Sequence, residues 1–228
     1  RARSGAKTSK PTQAKIFSYR NLGIEGSRFV GHFQLSERSV VLALLVEGES
    51  VSHAEVGAHV DVMLRETPFY AEGGGQVGDA GEIVSAEGMI VISDTQAPIA
   101  GLIVHTGEVL QGSISVGDPV TALVNPERRG SIARNHTGTH LAHAALRRVL
   151  GTHVRQAGSM VGPDRLRFDF SHIEAPSPEE LQAVEGLVNQ QVLLDLPIHT
   201  EETNYAHAVE EGALAFFGDK YGETIRIV

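Results

Sequence analysis

Five short apolar runs between Ser39 and Val124, followed by a change of period at Asn125-Pro126, limit the architectures open to this chain more than any other feature. The runs are SVVLALLVEG, AHVDVMLRE, GMIVISDT, LIVHTGEVL and DPVTALV, separated by Gly, Asp and Ser turns. Runs of this kind predict strands, and their close spacing favours a small antiparallel barrel or sandwich. The segment TPFYAEGGGQVGDAGEIV interrupts the series. Its three consecutive glycines are too flexible for a strand interior and suit a loop that approaches something closely.

From Asn125 onward the spacing becomes helical. Asn125 can cap a helix with Pro126 in its first position, and Ile132, Leu141, Leu146, Val149 and Leu150 supply an apolar face before Gly151 ends it. That helix spans about 25 residues. HVRQAGSMV and RLRFDFS then predict two strands joined by the turn Gly-Pro-Asp. Ser177-Pro178-Glu179-Glu180 combines an N-cap serine, a proline in the first turn and a glutamate three residues after the cap, which opens a second helix reaching about Leu194. PIHTEETNY predicts a strand, AHAVEEGALAFFG a short helix and TIRIV a last strand. Because strands and helices alternate irregularly, this half is expected to be α+β and not a doubly wound parallel sheet.

The net charge of −9 is unevenly distributed. Residues 1–20 carry six bases and no acid, whereas residues 21–125 carry three bases against fourteen acids. Residues 126–167 carry eight arginines against two acids, and residues 168–228 two bases against twelve acids. A phosphate backbone would be drawn to the two basic segments; a solvated helix face is the plain alternative for the second. No run approaches the eighteen or so apolar residues of a membrane span, since VVLALLV is bounded by Arg38 and Glu47, so a soluble protein is expected. The absence of cysteine fits a reducing compartment and removes thiolates from any metal site. RARSGAKTSK lacks a signal-peptide core and starts without Met, which suggests a cut end; residues up to about Pro11 have the composition of a linker.

His136 and His140 stand four residues apart on the first predicted helix, so both imidazoles can face one metal ion. The spacing permits chelation without demanding it, and the alternative is two histidines satisfied by solvent or hydrogen bonds. His143 is expected in a packing or surface role. Zinc takes four ligands, or three and a water. From the residues alone, a third could come from His153, His172, His199, His207 or a carboxylate, and no spacing singles one out.

RNHTGTHLAHAALRRVLG, together with TPFYAEGGGQVGDAG upstream and GALAFFGDKYGETIRIV downstream, resembles the editing region of alanyl-tRNA synthetases and the related free-standing alanyl-tRNA editing proteins. The three segments occur in the family's order and cover most of residues 17–228. The resemblance implies an α+β protein: a linker from the tRNA-recognition region over residues 1–16, a small antiparallel β-barrel over 17–124, and over 125–228 an editing domain shared with threonyl-tRNA synthetases. His136 and His140 match the first two zinc ligands of the family, whose other two come from a Cys-x3-His motif beyond the position corresponding to Val228. On this reading the chain holds two of four ligands, its editing domain ending before the others. The helical motif is HTGTH, where the family more often has alanine in the middle.

By the same resemblance, Gly74, Gly75 and Gln76 match a barrel loop that reaches the editing site, with the glutamine tied to activity; an ordinary glycine hairpin is the alternative. Thr137 matches a position that senses the serine hydroxyl, or is a capping or back-bonding threonine. Arg128, Arg129 and Arg134 are candidates for the phosphates of the tRNA(Ala) acceptor end, or face solvent. The implied activity is hydrolysis of Ser-tRNA(Ala) and Gly-tRNA(Ala) in the cytoplasm. Zinc would either activate water or orient the ester while the tRNA ribose assists. The parent enzyme would attach alanine to tRNA using ATP and Mg2+ in N-terminal parts outside these residues. A free-standing deacylase and a non-catalytic tRNA-binding or interdomain module are the rival readings.

Overall fold

The computed structural model of the chain describes residues 13–210 and 225–227. They form two compact units: one takes in the described residues through Ala133 together with Gly162–Asp164, the other Arg134–Val161 and the described residues from Arg165 on.

The first unit is built on six antiparallel strands, β1 (Ser36–Val46), β2 (His59–Leu64), β3 (Gly81–Val84), β4 (Gly88–Ile99), β5 (Leu102–Ser115) and β6 (Pro119–Val124). Their order around the ring is β1-β2-β5-β4-β3-β6, and β6 returns to β1 through pairs such as Val120 with Ser39. The sheet closes into a barrel, leaving none of these six strands with a free long edge. The antiparallel barrel followed by an α+β region is the architecture expected from the sequence.

Every strand contributes to one apolar cluster that fills the barrel, including Leu44, Val62, Ile83, Ile92, Val109 and Ala122. A second cluster explains why LALLV reads as an unbroken apolar run. Ala43, Leu45, Met63, Leu102 and Val104 pack with Tyr19 on the other face of β1, β2 and β5, so these strands are buried on both sides.

Tyr19 belongs to a helix, α1 (Gln13–Arg20), where the sequence predicted linker up to residue 16 and barrel after it. Its phenol donates to Asp61 Oδ2 at 2.9 Å, and Lys15 Nζ lies 2.9 Å from the same oxygen. Thr106 Oγ1 donates to Asp61 Oδ1 at 2.7 Å. These partners account for a carboxylate in the middle of an apolar strand. Burial, then the neighbouring Asp61 charge and bond, push the Tyr19 phenol far above its ordinary pKa, so it remains the donor.

A single helix, α2 (Pro126–Leu150), follows the barrel with the predicted bounds. Asn125 Oδ1 accepts the Arg128 N–H at 2.9 Å, and Gly151 takes φ 116° just past the helix end. Ile132 and Leu146 of its apolar face are buried. In the second unit, β7 (Arg155–Val161) and β8 (Leu166–Ser171) form the predicted hairpin, with a register irregularity between Gln156 and Gly158. α3 (Pro178–Leu194) has both arms of its capping box: Ser177 N–H donates to Glu180 Oε2 at 2.8 Å, and Ser177 Oγ accepts from the Glu180 N–H at 3.2 Å. β9 (Glu201–Thr203) pairs antiparallel with β10 (Ile225–Ile227), and α4 (Tyr205–Glu210) follows β9. The rest of AHAVEEGALAFFG and the opening segment RARSGAKTSK lie outside the described residues.

Candidate functional site

α2 presents His136 and His140 at exposed positions one turn apart. Their rings stack with centroids 5.1 Å apart and planes 14° from parallel, so the helix backbone has already aligned two imidazoles side by side. Nitrogen donors in this arrangement suit one edge of a tetrahedral zinc site. The fit stops at two. Among the described residues no group of three or more His, Cys, Asp or Glu is placed to hold a metal ion.

The other histidines are engaged differently. His153 Nε2 and His172 Nδ1 lie 2.8 Å apart and hydrogen-bond to each other. His207 Nδ1 lies 3.9 Å from Glu210 Oε2, and His199 is exposed. His143 is buried against Phe168, with ring centroids 5.0 Å apart, which is the packing role expected of it. Burial lowers its pKa, opposed by a bond to the Val154 backbone and aided by the charges of Arg147 and His140.

Thr137 is half-buried between the two exposed histidines. The back-bonding threonine of the motif is instead Thr139, which is buried and donates from Oγ1 to the Asn135 carbonyl at 2.8 Å. At Gly138 an added Cβ would lie 3.3 Å from a terminal methyl of Leu166.

The glycine segment belongs to the barrel unit and is an ordered hairpin. Gly73 N–H donates to the Gln76 carbonyl at 3.1 Å and Gln76 N–H to the Gly73 carbonyl at 2.9 Å. Gly74 and Gly75 between them take φ 59° and 88°, a tight turn that side chains with a Cβ rarely adopt. Gln76 is buried. The last part of the segment, Gly81–Val84, is strand β3, where the glycine-rich sequence predicts a loop.

The three arginines separate. Arg134 is exposed on α2. Arg128 donates from Nη2 to the Gly78 carbonyl at 3.3 Å, and its Nε is buried without a hydrogen-bond partner. Arg129 is the most committed: Nε donates to both oxygens of Asp79 at 3.0 Å, Nη2 to Asp79 Oδ2 and to the Pro68 carbonyl, and Nη1 to the Gly31 carbonyl at 2.9 Å. Expected on a phosphate, this guanidinium is spent on the protein. Sequence could not show it, because Asp79 is fifty residues away.

Residues 1–128 match the family model described as tRNA synthetases class II (A), so the match covers the barrel and stops short of the histidine pair. Over all 228 residues the chain is 48% identical to the alanine–tRNA ligase of Chloroflexus aurantiacus, of which it covers 26%. It is 45% identical to that of a Roseiflexus species, covering 25%, and 43% identical over 229 positions to that of Dehalococcoides mccartyi, covering 26%. All of this chain aligns in each case, and it spans about a quarter of the length of these curated relatives. A family match over more than half of the chain settles its kinship: the chain belongs to the class II (A) tRNA synthetases.

Proposed function

We propose that this chain serves the editing activity of an alanine–tRNA ligase, hydrolysing the ester that joins serine or glycine to tRNA(Ala) in the cytoplasm. The observation that carries this reading is the exposed, near-parallel pair His136 and His140 on α2. Kinship with alanine–tRNA ligases over the whole chain supports it. The parent enzyme attaches alanine using ATP and Mg2+. A pocket shaped for alanine excludes glycine poorly and serine incompletely, so a second, hydrolytic site restores accuracy.

The pair would hold zinc through two of its four ligands, and the ion would supply a Lewis acid at the ester. Thr137, beside the pair, contacts the serine hydroxyl. Arg134 takes a phosphate of the acceptor end, a contact that positions without reading sequence. Gln76, carried by the Gly74-Gly75 turn, assists the reaction. Arg129 is withdrawn from the phosphate role because its donors face barrel acceptors, whereas Arg128 makes one long bond, from Nη2 to the Gly78 carbonyl at 3.3 Å.

A second reading, a non-catalytic tRNA-binding module, is favoured by one observation: among the described residues no third donor stands with the pair. Zinc content and deacylation of Ser-tRNA(Ala), measured for this chain and for a version extended to the length of its relatives, separate the two. The extended protein is expected to bind zinc and deacylate, and replacing His136 and His140 together with alanine should abolish both. An extended protein without zinc, or one whose activity survives loss of both histidines, would exclude the editing reading.

A further inference from the structure

One guanidinium grips both stems of the glycine hairpin. Pro68, whose carbonyl accepts from Arg129 Nη2 at 2.8 Å, precedes the hairpin; Asp79, which takes the same guanidinium on both carboxylate oxygens, follows it. The third acceptor is the Gly31 carbonyl, in a segment where an added Cβ would meet Pro68 O at 2.0 Å. Asp79 is fully buried and its carboxylate also accepts the Tyr70 N–H at 2.7 Å, while its own N–H donates to the Tyr70 carbonyl at 3.0 Å. Thr95 Oγ1 bonds the Asp79 carbonyl at 2.9 Å, and the Tyr70 phenol reaches forward to the Gly73 carbonyl at 3.1 Å. A chain of short bonds therefore runs from Arg129 through Asp79 and Tyr70 to the turn that carries Gln76.

A buried pair of this kind stabilises weakly compared with an apolar replacement, because desolvation offsets much of the attraction. What it supplies here is geometry. The guanidinium fork is planar and directional, and it meets a carboxylate and two carbonyls at once, which an ammonium on a flexible stem cannot reproduce.

The geometry points to Asp79 and Arg129 as positioning residues that set the hairpin presenting Gln76, and so govern the chemical step and not tRNA affinity; this rests on the editing reading for Gln76 and on no reading for the hairpin itself. The assignment replaces the phosphate-binding role expected for Arg129. It requires the hairpin to be ordered by the pair and Gln76 to lose its effect when the pair is broken.

The test uses Asp79→Asn and Arg129→Lys, with Gln76→Ala as reference. Amide hydrogen exchange over residues 69–78 should accelerate by about tenfold or more in both pair variants, while the barrel amides of Val62, Leu64 and Val109 keep their protection, which also shows that the barrel is folded. In Ser-tRNA(Ala) deacylation, kcat should fall about as far as in Gln76→Ala, by roughly tenfold or more, with KM unchanged. Asp79→Asn combined with Gln76→Ala should be no worse than Gln76→Ala alone. Unchanged exchange of the hairpin in a folded Arg129→Lys protein overturns the proposal, as does a rise in KM with kcat intact, the signature of a phosphate contact. If Gln76→Ala leaves deacylation untouched, the role given to Gln76 falls, and the hairpin-ordering claim is decided by exchange alone.

Discussion

Acid should weaken the barrel through one residue, His105. The imidazole is fully buried and packs edge-on against Phe69, with ring centroids 5.2 Å apart. Nδ1 lies 2.8 Å from the Val62 carbonyl, which can only accept, so Nδ1 carries the proton of the neutral ring. Nε2, 2.7 Å from Thr67 Oγ1, then accepts from that hydroxyl, whose oxygen in turn accepts the Phe69 N–H at 3.1 Å. A second proton on Nε2 must turn the Thr67 hydroxyl away and place a charge where water does not reach. Burial accordingly holds the pKa at about 4 against an ordinary 6.5, with the Val62 bond opposing.

The unfolded chain takes up this proton near pH 6.5 and the folded protein only near 4, so stability is lost as pH falls between those values and levels off below them. A tenfold difference in proton affinity is about 1.4 kcal/mol, which makes the full loss roughly 3 kcal/mol and the loss by pH 5 roughly 2 kcal/mol. Urea unfolding at pH 7 and pH 5 reads it directly. Carboxylates titrate in the same range, so the quantity to compare is the difference between wild type and His105→Gln, whose amide accepts from Thr67 without titrating. The variant should be less stable at pH 7, yet lose roughly 2 kcal/mol less on going to pH 5. Equal losses in the two proteins would refute the account.

Tyr19→Phe removes one donor from Asp61 while leaving Lys15 and Thr106 in place, and should lower unfolding stability by about 1 kcal/mol in urea; an unmoved midpoint would show that the phenol bond contributes nothing. Gly75→Ala imposes a Cβ at φ 88° and should cost about 1–2 kcal/mol by thermal unfolding, whereas Gly74→Asn, at φ 59°, should be milder because asparagine visits that region more readily; the reverse order would contradict the turn geometry. Gly138→Ala should stabilise the protein by up to about 1 kcal/mol, since α2 gains helix propensity and the near contact is the movable end of Leu166; a net loss measured in urea would mean that Leu166 cannot shift.

The elements that sequence placed correctly are those whose signals are local. Ser177 and Glu180 cap α3 with atoms three residues apart, and Asn125 does the same for α2, so the bounds of both helices can be read from adjacent residues. The barrel strands announce themselves by apolar runs between turns. α1 does not, because what holds it is the reach of Tyr19 and Lys15 to Asp61, more than forty residues away. β3 was hidden by its place at the end of a glycine-rich segment, and its pairing with β4 and β6 is what makes it a strand.

The same division runs through the candidate site. The histidine pair was legible because i and i+4 on a helix are neighbours by construction, and the rings lie side by side as that spacing requires. The arginines were not, because sequence shows a charge without its partner. Arg129 is neutralised by buried Asp79, and Arg167 lies 3.1 Å from Asp169. A polyanion responds to the field left after such pairing, so the excess of six positive charges counted over residues 126–167 overstates the attraction this segment exerts. The charge of Arg129 at the start of α2 is one that this field has lost to buried Asp79, and what that pair carries instead is the geometry of the hairpin stems it holds.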